Sequence, residues 1–496
     1  MSTNRKLGLR LIALSVVMKL LLASFATQFV LVDDAYITLR YASNLVTHGD
    51  FVYNAEEAVF GITTPLWGLL TGLLTLVAGS LVDVALIVAN IALWSWAAWL
   101  ASDLVSERFR FTFLALFLFA PCFVDNQLLG METSLFVLLM IGSMQNALQG
   151  RATASAAFFG LLAITRPEAC LLSPFLFAAL ASHCGAREAL RKLLRPAALA
   201  CLLLPGIAWA TFALTTYGGL IPQSMLAKTG WNTEHYDDAS PLTALWRAVP
   251  RLTFIPFIDA LPSKIATVLS SALMLGIAWV TALNWKRGTA ASRAWLGFYF
   301  VYITFYVVGK GATEASWYSI PSSVALLFAL EPAWPTWLSL ESRALRTATL
   351  VLLISASSVA ALRRGELLRY YEDGYGESAR LLNQEPTGRV VIGEIGVFGF
   401  HSKHAITDVA ALVSPEVLDM KRRGLSFIGI VRESDADWFV ISETALTKNF
   451  YPSVGVVWAN VEEREWFASH CSELQTHLDK HTFKVLRSRV SVVARD

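Results

Sequence analysis

The chain has 496 residues, of which 55% are hydrophobic and only 16% are charged, with a formal net charge of +2. Soluble proteins carry about 25% charged residues, so this much apolar side chain indicates an integral membrane protein. The nearly neutral charge gives no sign of nucleic-acid binding. Five scattered cysteines, without a CxxC or His/Cys cluster, support neither a zinc site nor a disulfide framework.

The first apolar stretch follows three basic residues near the N-terminus. A signal peptide would end in a small-residue cleavage site; none is convincing here, so we interpret the stretch as a retained transmembrane helix. Segments of roughly 17–25 apolar residues can cross a bilayer. Eleven such spans are predicted, at 11–31, 82–101, 111–126, 133–149, 152–166, 168–183, 196–217, 265–284, 293–309, 318–337 and 345–362.

The apolar run at 62–79 decides the topology. If it re-enters the membrane without crossing, or lies in the interface, most loop Lys and Arg residues fall in the cytoplasm, as the positive-inside rule requires. The sequence therefore predicts an α-helical polytopic membrane protein with a cytoplasmic N-terminus. Its main outer loops are predicted at 32–64 and 218–264. The C-terminal tail is predicted to be extracytoplasmic.

In this topology the polar residues at the membrane boundaries gather on the outer face, which predicts one outward-facing polar cavity. They are Asp33, Asp34, Glu132, Arg166, Glu168, Gln223, Lys228, Glu314, Trp317 and Tyr318. Most of them have a purely structural alternative. One Asp of the pair can cap a helix, Glu132 can complement a helix dipole, Arg166 can snorkel, Lys228 can be solvated, and the two aromatic residues can belong to an interfacial belt.

Residues 363–496 are more polar, and we predict a small soluble α/β domain there, after a transmembrane domain at 1–362. Strands are predicted at 389–393 and 438–441, and helices near 376–384 and 461–480. The segment 393–399, Gly-Glu-Ile-Gly-Val-Phe-Gly, lacks the spacing of a phosphate-binding loop. Nucleotide binding is therefore not expected.

Sugar transfer from a lipid carrier needs a carboxylate to take the proton of the acceptor hydroxyl and cations to hold the departing phosphate. Asp33 or Asp34 can supply the base. Lys228, Arg166 and Arg40 are candidate phosphate partners.

The motifs at 33–45, 49–54 and 63–67 closely resemble the first outer loop of bacterial GT-C glycosyltransferases, with the mycobacterial terminal arabinofuranosyltransferase among the nearest relatives. The likeness continues at 130–136, 165–168, 222–228, 317–318, 393–399 and 408–416. The chain departs from the usual pattern at 60–64 and at Gln223-Ser224. The resemblance therefore leaves the sugar and the acceptor open.

The resemblance implies an inverting transferase in the bacterial inner (plasma) membrane. It implies a polyprenyl-phosphate sugar donor, carrying arabinofuranose or another pentose or hexose, and a cell-envelope glycan or lipid acceptor. Asp33 is implied as the general base, with Asp34 assisting or binding a divalent cation such as Mg, Mn or Ca. Substrate contacts are expected from Arg40, Tyr41, Glu132, Arg166, Glu168, Gln223, Lys228, Trp317 and Tyr318.

Two other classes remain open. A transporter or flippase for an anionic lipid-linked substrate would use the acidic pair and Lys228 for binding. Transporters, however, favour related halves and polar residues at the midplane. A membrane sensor or assembly factor would leave the carboxylate cluster unexplained.

Overall fold

The computed structural model describes residues 3–229, 248–254, 263–308, 315–334, 342–451, 454–475 and 483–488. The part before the tail is a helical bundle, in which each predicted apolar span coincides with a helix wherever it is described. Its helices are α1 (Thr3–Leu22), α2 (Asp33–His48), α3 (Pro65–Ala78), α4 (Val82–Ser102), α5 (Glu107–Phe119), α6 (Pro121–Gln127), α7 (Thr133–Leu148), α8 (Ala152–Ala163), α9 (Ser173–Cys184), α10 (Ala186–Leu193), α11 (Pro196–Tyr217), α12 (Gln223–Thr229), α13 (Ser263–Arg287), α14 (Ala290–Val308), α15 (Ser319–Ala329) and α16 (Arg343–Tyr371).

Within the described ranges, six helices are long and apolar enough to cross a membrane, or up to eight if each of two bent helix pairs forms one span. The eleven predicted spans exceed this number because several of them fold as short helices. The predicted spans at 133–149 and 152–166 become α7 and α8, which have 16 and 12 residues. The prediction at 318–337 lies partly outside the described residues, as does much of the loop at 218–264 and all of Glu314.

The segment 62–79 does not cross the bundle. Helix α3 begins near the first turn of α2. The Trp67 indole donates to the Gly130 carbonyl at 3.1 Å, and Gly130 packs against Leu31 and Ala35. Gly79 ends α3 with a φ of 55°, a conformation that favours glycine. Helix α4 then starts next to α2 as well, since the Tyr36 hydroxyl lies 3.4 Å from Asp83. Both ends of α3 therefore lie at the same end of the bundle, as the sequence predicts.

The tail is an α/β unit built on a five-stranded sheet in the order β2-β1-β3-β5-β4. Strand β1 is parallel to β2 and β3, whereas β5 runs antiparallel to β3 and β4. The strands are β1 (Arg389–Ile392), β2 (Ala405–Asp408), β3 (Trp438–Ser442), β4 (Cys471–Gln475) and β5 (Phe483–Ser488). The helices are α17 (Glu377–Leu382), α18 (Ile395–His401), α19 (Pro415–Arg422), α20 (Phe427–Glu433), α21 (Glu443–Lys448) and α22 (Val461–His470).

One helix boundary differs from the sequence prediction. Helix α16 continues to Tyr371, so the domain boundary predicted after residue 362 lies within a helix, and its position stays a prediction. The helix predicted near 461–480 ends at His470, and β4 follows at Cys471. The chain leaves the helix because β4 pairs with β5 and extends the sheet. Local propensity cannot predict a strand that depends on its partner in this way.

The tail docks directly on the first loop of the bundle. The Asn54 side chain donates to the Ile406 carbonyl at 2.9 Å and accepts from the Ile406 amide at 3.0 Å. Asn54 thus makes the pair of hydrogen bonds that a neighbouring strand would make and covers the open edge of β2. Arg389 of β1 pairs with Glu57 of the same loop. Bundle and tail also share one hydrophobic core, which includes Leu39 and Phe398.

Candidate active site

The two adjacent aspartates at the start of α2 contact different parts of the molecule. Asp33 is buried, and its two carboxylate oxygens accept hydrogen bonds from the amides of Gly396 and Val397, at 2.9 and 2.7 Å. These amides begin α18, where free N–H groups favour an anion. Asp33 therefore holds the tail to the bundle, and both of its oxygens are engaged.

Asp34, one residue further along α2, interacts electrostatically with the Lys228 ammonium. Burial raises the pKa of the Asp34 carboxyl, and the positive charge of Lys228 opposes that rise. Lys228 is half-buried. Its interaction with the Tyr318 oxygen, and to a smaller extent with Asp34, raises the pKa of the Lys228 ammonium and so favours its protonated form. Asp34, Lys228 and Tyr318 therefore form one polar group at the tail end of the bundle.

Arg166 forms the second half of this group. Its guanidinium lies 2.6 Å from Glu168 and 3.6 Å from Glu132, and all three side chains are buried. The Tyr306 hydroxyl donates to Glu168 at 2.9 Å. The guanidinium also stacks over the Tyr318 ring, 4.9 Å from its centre. Tyr318 thus joins the Arg166 ion pairs to Lys228 and Asp34.

One atom of this network has spare hydrogen-bonding capacity. Within the described part of the chain, the buried Nη1 of Arg166 makes no hydrogen bond, although it faces Glu132 across 3.6 Å. A buried donor without an acceptor is costly. The guanidinium can therefore accept a further anionic partner without losing its contact with Glu168.

Three other predicted site residues lie in the interface between the first loop and the tail. Arg40 donates to the carbonyls of Tyr53, His404 and Gly399. The Tyr41 hydroxyl donates to the Val59 carbonyl at 2.9 Å and accepts from the Gly61 amide at 3.0 Å. Gln223 donates to the Ala411 carbonyl at 3.1 Å. These contacts give Arg40, Tyr41 and Gln223 an architectural role, and the predicted substrate contacts of these three are not supported by this geometry.

Trp317 is half-buried, with its ring 6.0 Å from that of Tyr318. It borders the polar group without contributing a charge. Sequence reasoning missed Tyr306, which orients Glu168, and Tyr302, whose hydroxyl donates to the Tyr318 carbonyl at 3.0 Å. Their spacing of four residues on α14 places both on one helix face, but nothing in their own segment indicates an ionic partner.

The tail also places carboxylates here that the sequence analysis did not select. Asp408 is buried at the end of β2, where it accepts amide hydrogen bonds from Ala410, Leu412 and Val413. Burial raises the pKa of Asp408 to about 7. Glu394 is half-buried between β1 and α18, and burial, followed by the charges of Asp33 and Asp34, raises the pKa of its carboxyl.

Glycines at every third position of 393–399 explain how the tail approaches so closely. A Cβ at Gly396 would overlap the main chain of Asp33, one at Gly399 would overlap the Tyr53 hydroxyl, and one at Gly393 would overlap the Tyr451 hydroxyl. This spacing was the available signal for a close backbone contact.

The predicted divalent cation does not fit well beside Asp34. The neighbouring Lys228 already supplies a positive charge there, and it would repel a metal ion. Across the described ranges, no group of three or more His, Cys, Asp or Glu side chains is arranged to hold a cation. Metal binding by Asp34 stays a prediction, and no step below depends on it.

The architecture defines the class. A bundle of apolar helices, a short helix carrying the acidic pair and a docked C-terminal sheet form the fold of this chain, and two solved structures share this fold over nearly the whole chain. The crystal structure of ArnT from Cupriavidus metallidurans bound to undecaprenyl phosphate matches with a TM-score of 0.60 and 11% identity, covering 98% of each chain. The apo structure of the same protein matches with a TM-score of 0.61 and 11% identity, covering 99% of each.

Two sequence comparisons complete the picture. A family described as a domain of unknown function (DUF8728) matches residues 362–488. No curated protein matches the chain. The finer likeness to the mycobacterial terminal arabinofuranosyltransferase stays a prediction.

Proposed function

We propose that this protein is an inverting glycosyltransferase of the bacterial inner membrane. It moves a sugar from a polyprenyl-phosphate donor to a cell-envelope glycan or lipid on the extracytoplasmic side. The observation that carries the proposal is the buried Arg166 guanidinium, which is ion-paired with Glu168 and lies 4.9 Å from the centre of the Tyr318 ring. Lys228 interacts electrostatically with Tyr318 and with Asp34. A carboxylate and two cations therefore act on one another at one end of an apolar bundle.

The cations suit the donor phosphate. When the bond between sugar and phosphate breaks, the polyprenyl phosphate that leaves gains negative charge, and cations placed at that oxygen stabilise the transition state. Lys228 is held in its protonated form, and Arg166 has an Nη1 without a hydrogen bond. The fold neighbour that was crystallised with undecaprenyl phosphate supports the choice of a polyprenyl phosphate.

We assign the general base to Asp34, whereas the family resemblance favours Asp33. Both oxygens of Asp33 accept amide hydrogen bonds from the tail, and hydrogen bonds to the charged form of a carboxylate weaken it as a base. Asp34 takes the proton of the acceptor hydroxyl, and that oxygen attacks the anomeric carbon from the side opposite the phosphate. The carbon–oxygen bond to phosphate breaks, and its electron pair leaves with the polyprenyl phosphate. The anomeric centre is thereby inverted.

The orientation and the sugar complete the proposal. Basic loops favour a cytoplasmic N-terminus, which places the tail and the polar group outside. Arabinofuranose, another pentose or a hexose all satisfy the chemistry.

The test uses the full-length protein in detergent with synthetic polyprenyl-phosphate sugars and a panel of octyl glycosides as acceptors. We expect release of polyprenyl phosphate together with a new glycoside of inverted anomeric configuration, as seen by NMR. Reconstituted vesicles that move the labelled donor across the bilayer without consuming it would instead indicate a flippase.

A further inference from the structure

Helix α12, which carries Lys228, is held by the tail at both of its ends. At its start, the Gln223 side chain donates to the Ala411 carbonyl of the tail at 3.1 Å. Near its end, Ala227 is buried in the hydrophobic core of the tail, in the same cluster as Val391 of β1. A helix of seven residues is too short to be stable by itself, so the position of α12 depends on these contacts.

The tail segment that receives α12, the 408–413 loop, is fixed by a buried carboxylate. Asp408 accepts three hydrogen bonds from main-chain amides of this loop, at 2.6 to 3.3 Å. Ala411 lies among these amides with a φ of 63°, a left-handed conformation that residues other than glycine rarely adopt. The Asp408 carboxylate thus holds the loop in the conformation in which the Ala411 carbonyl meets Gln223.

The first loop of the bundle meets α12 and the 408–413 loop at the same point. The Gln223 amide donates to the Phe60 carbonyl at 2.6 Å. A Cβ at Gly61 would lie 3.0 Å from the Leu412 carbonyl oxygen, so the two loops are in close contact. Gln223 therefore joins three elements, because its main chain is bound to the first loop and its side chain to the tail.

Lys228 follows Ala227 directly on α12. Neighbouring helix residues point about 100° apart, so the lysine side chain leaves the helix in a different direction from the buried Ala227 methyl. It interacts with Tyr318 and Asp34, which both belong to the bundle. Lys228 therefore acts in the polar group of the bundle, whereas the helix that carries it is held by the tail.

We propose that the 408–413 loop of the tail positions Lys228 for the donor phosphate, acting through Gln223. Gln223 is then a positioning residue, which acts through Lys228 rather than on the substrate. This inference rests on the proposed function and gives the tail a part in it: the cation site for the donor is complete only when α12 is docked on the tail.

The first test is a double-mutant cycle in the full-length protein, with synthetic polyprenyl-phosphate arabinofuranose and octyl glycosides. Gln223→Met keeps the side-chain volume but loses the hydrogen bond to Ala411. We expect kcat/KM for the donor to fall about tenfold, with the KM for the acceptor unchanged. In a Lys228→Met background the same change should cost less than about twofold, because the residue that Gln223 positions is gone. An equal loss in both backgrounds overturns the inference.

Asn383→Leu is the matched control. The Asn383 amide donates a similar hydrogen bond inside the tail, to the His401 carbonyl at 2.7 Å, and it lies outside the 408–413 loop. Any loss of activity in this variant should be the same in both backgrounds. If Asn383 were coupled to Lys228 as strongly as Gln223 is, the effect would come from general destabilisation of the tail, and the inference would be overturned.

Labelling with an amine-reactive ester reports on the surroundings of Lys228 without donor or turnover. Lys228 is half-buried, whereas Lys403 of the tail is exposed and serves as the internal reference. Mass spectrometry should show that Lys228 reacts about tenfold faster in Gln223→Met, with Lys403 unchanged. Faster labelling supports the positioning of Lys228 by the tail even when the unchanged protein transfers no sugar. Equal labelling of Lys228 in both proteins overturns it.

Discussion

Two buried arginines in this protein bind their partners in different ways. Arg166, in the bundle, contacts the side chains of Glu168 and Glu132. Arg40, at the docked tail, donates mainly to main-chain carbonyls, those of Tyr53, His404 and Gly399, and it makes one longer hydrogen bond to a side chain, that of Asn54, at 3.3 Å. Side chains can rotate and exchange partners, but main-chain carbonyls are fixed by the fold. A ligand can therefore compete for Arg166, whereas Arg40 is committed to the architecture.

The acidic pair shows the same contrast within two residues. Asp33 binds main-chain amides of the tail, and Asp34 interacts electrostatically with the Lys228 side chain. The chemistry of the site is thus expected from groups with side-chain partners, and its stability from groups with main-chain partners. Mutations at these residues test that division.

The largest expected effect belongs to Asp34→Asn. Removing a general base lowers the rate about 10²–10⁴-fold, whereas the protein should still fold, because Asp34 holds no part of the tail. The measurement is release of polyprenyl phosphate under single-turnover conditions. Glu416→Gln, at an exposed glutamate of the tail, serves as the control. Activity within a few fold of the unchanged protein would remove Asp34 from the base position.

Lys228→Met should follow, with a loss of about 10²–10³-fold in kcat, the usual cost of removing one charge-stabilising group from a transition state. Lys228→Arg keeps the charge and should recover part of the rate. Comparing donors with better and worse leaving phosphates gives the readout, since the mutant should be more sensitive to the leaving group. An equal loss with both donors would contradict a contact at the phosphate.

Arg40→Met should act on stability. It leaves buried carbonyls without donors, at about 1–3 kcal/mol for each unsatisfied group. We expect the free energy of unfolding of the tail to drop by about 2–5 kcal/mol, measured as faster proteolysis of the tail. Arg423→Met, at an exposed arginine paired with Glu433, should change nothing. Normal tail protection with a raised KM for the donor would return Arg40 to the substrate site.

Asp33→Asn separates the two aspartates. Asparagine retains one acceptor oxygen but loses the charge, so docking of the tail should weaken by about 1–3 kcal/mol. The transfer rate should fall by less than about tenfold, which corresponds to about 1.4 kcal/mol, because Asp34 is still present as the base. Tail proteolysis and single-turnover rates are measured on the same sample. Abolished transfer in a variant with a fully protected tail would restore Asp33 as the base.

The smallest effect is the response to pH. Burial raises the pKa of Asp408 to about 7, and burial with nearby carboxylates raises that of Glu394. These groups bind protons more tightly when folded, so their stabilisation is complete below the ordinary carboxyl pKa and is lost as the pH rises through about 7. Each contributes at most about 1.4 kcal/mol per pH unit. The Tm of the tail should fall between pH 6 and pH 8, less steeply in E394Q. A Tm that rises over this range would contradict the sign.

The sequence predicted the parts that depend on local pattern. Apolar runs located the helices, and loop charges grouped the polar boundary residues that the structure brings to one end of the bundle. The sequence could not distinguish the roles of Asp33 and Asp34. Neighbouring residues on a helix point about 100° apart, so the two side chains meet different partners, and the sequence does not show which. The partners that distinguish them, Gly396 and Lys228, lie far along the chain.

Arg40 shows a second limit. A basic residue near a membrane boundary suggests a phosphate partner, but Arg40 donates to three main-chain carbonyls, which carry no mark in the sequence, and to the Asn54 side chain. The glycine spacing of 393–399 was visible, yet its meaning depended on which segment approached it. Long-range packing, rather than local chemistry, therefore decided the roles that sequence analysis left open.

The docking of Asn54 on β2 has a consequence for biosynthesis. The two partners are separated by 352 residues, so the ribosome makes the first loop long before the strand that it covers. During that interval the first loop has no partner, while the remaining membrane helices are synthesised and inserted. Polar groups such as Asn54, Arg40 and Glu57 can remain hydrated during this time. An exposed apolar patch in the same place would bind other chains. The polar part of this junction thus suits a contact that forms late.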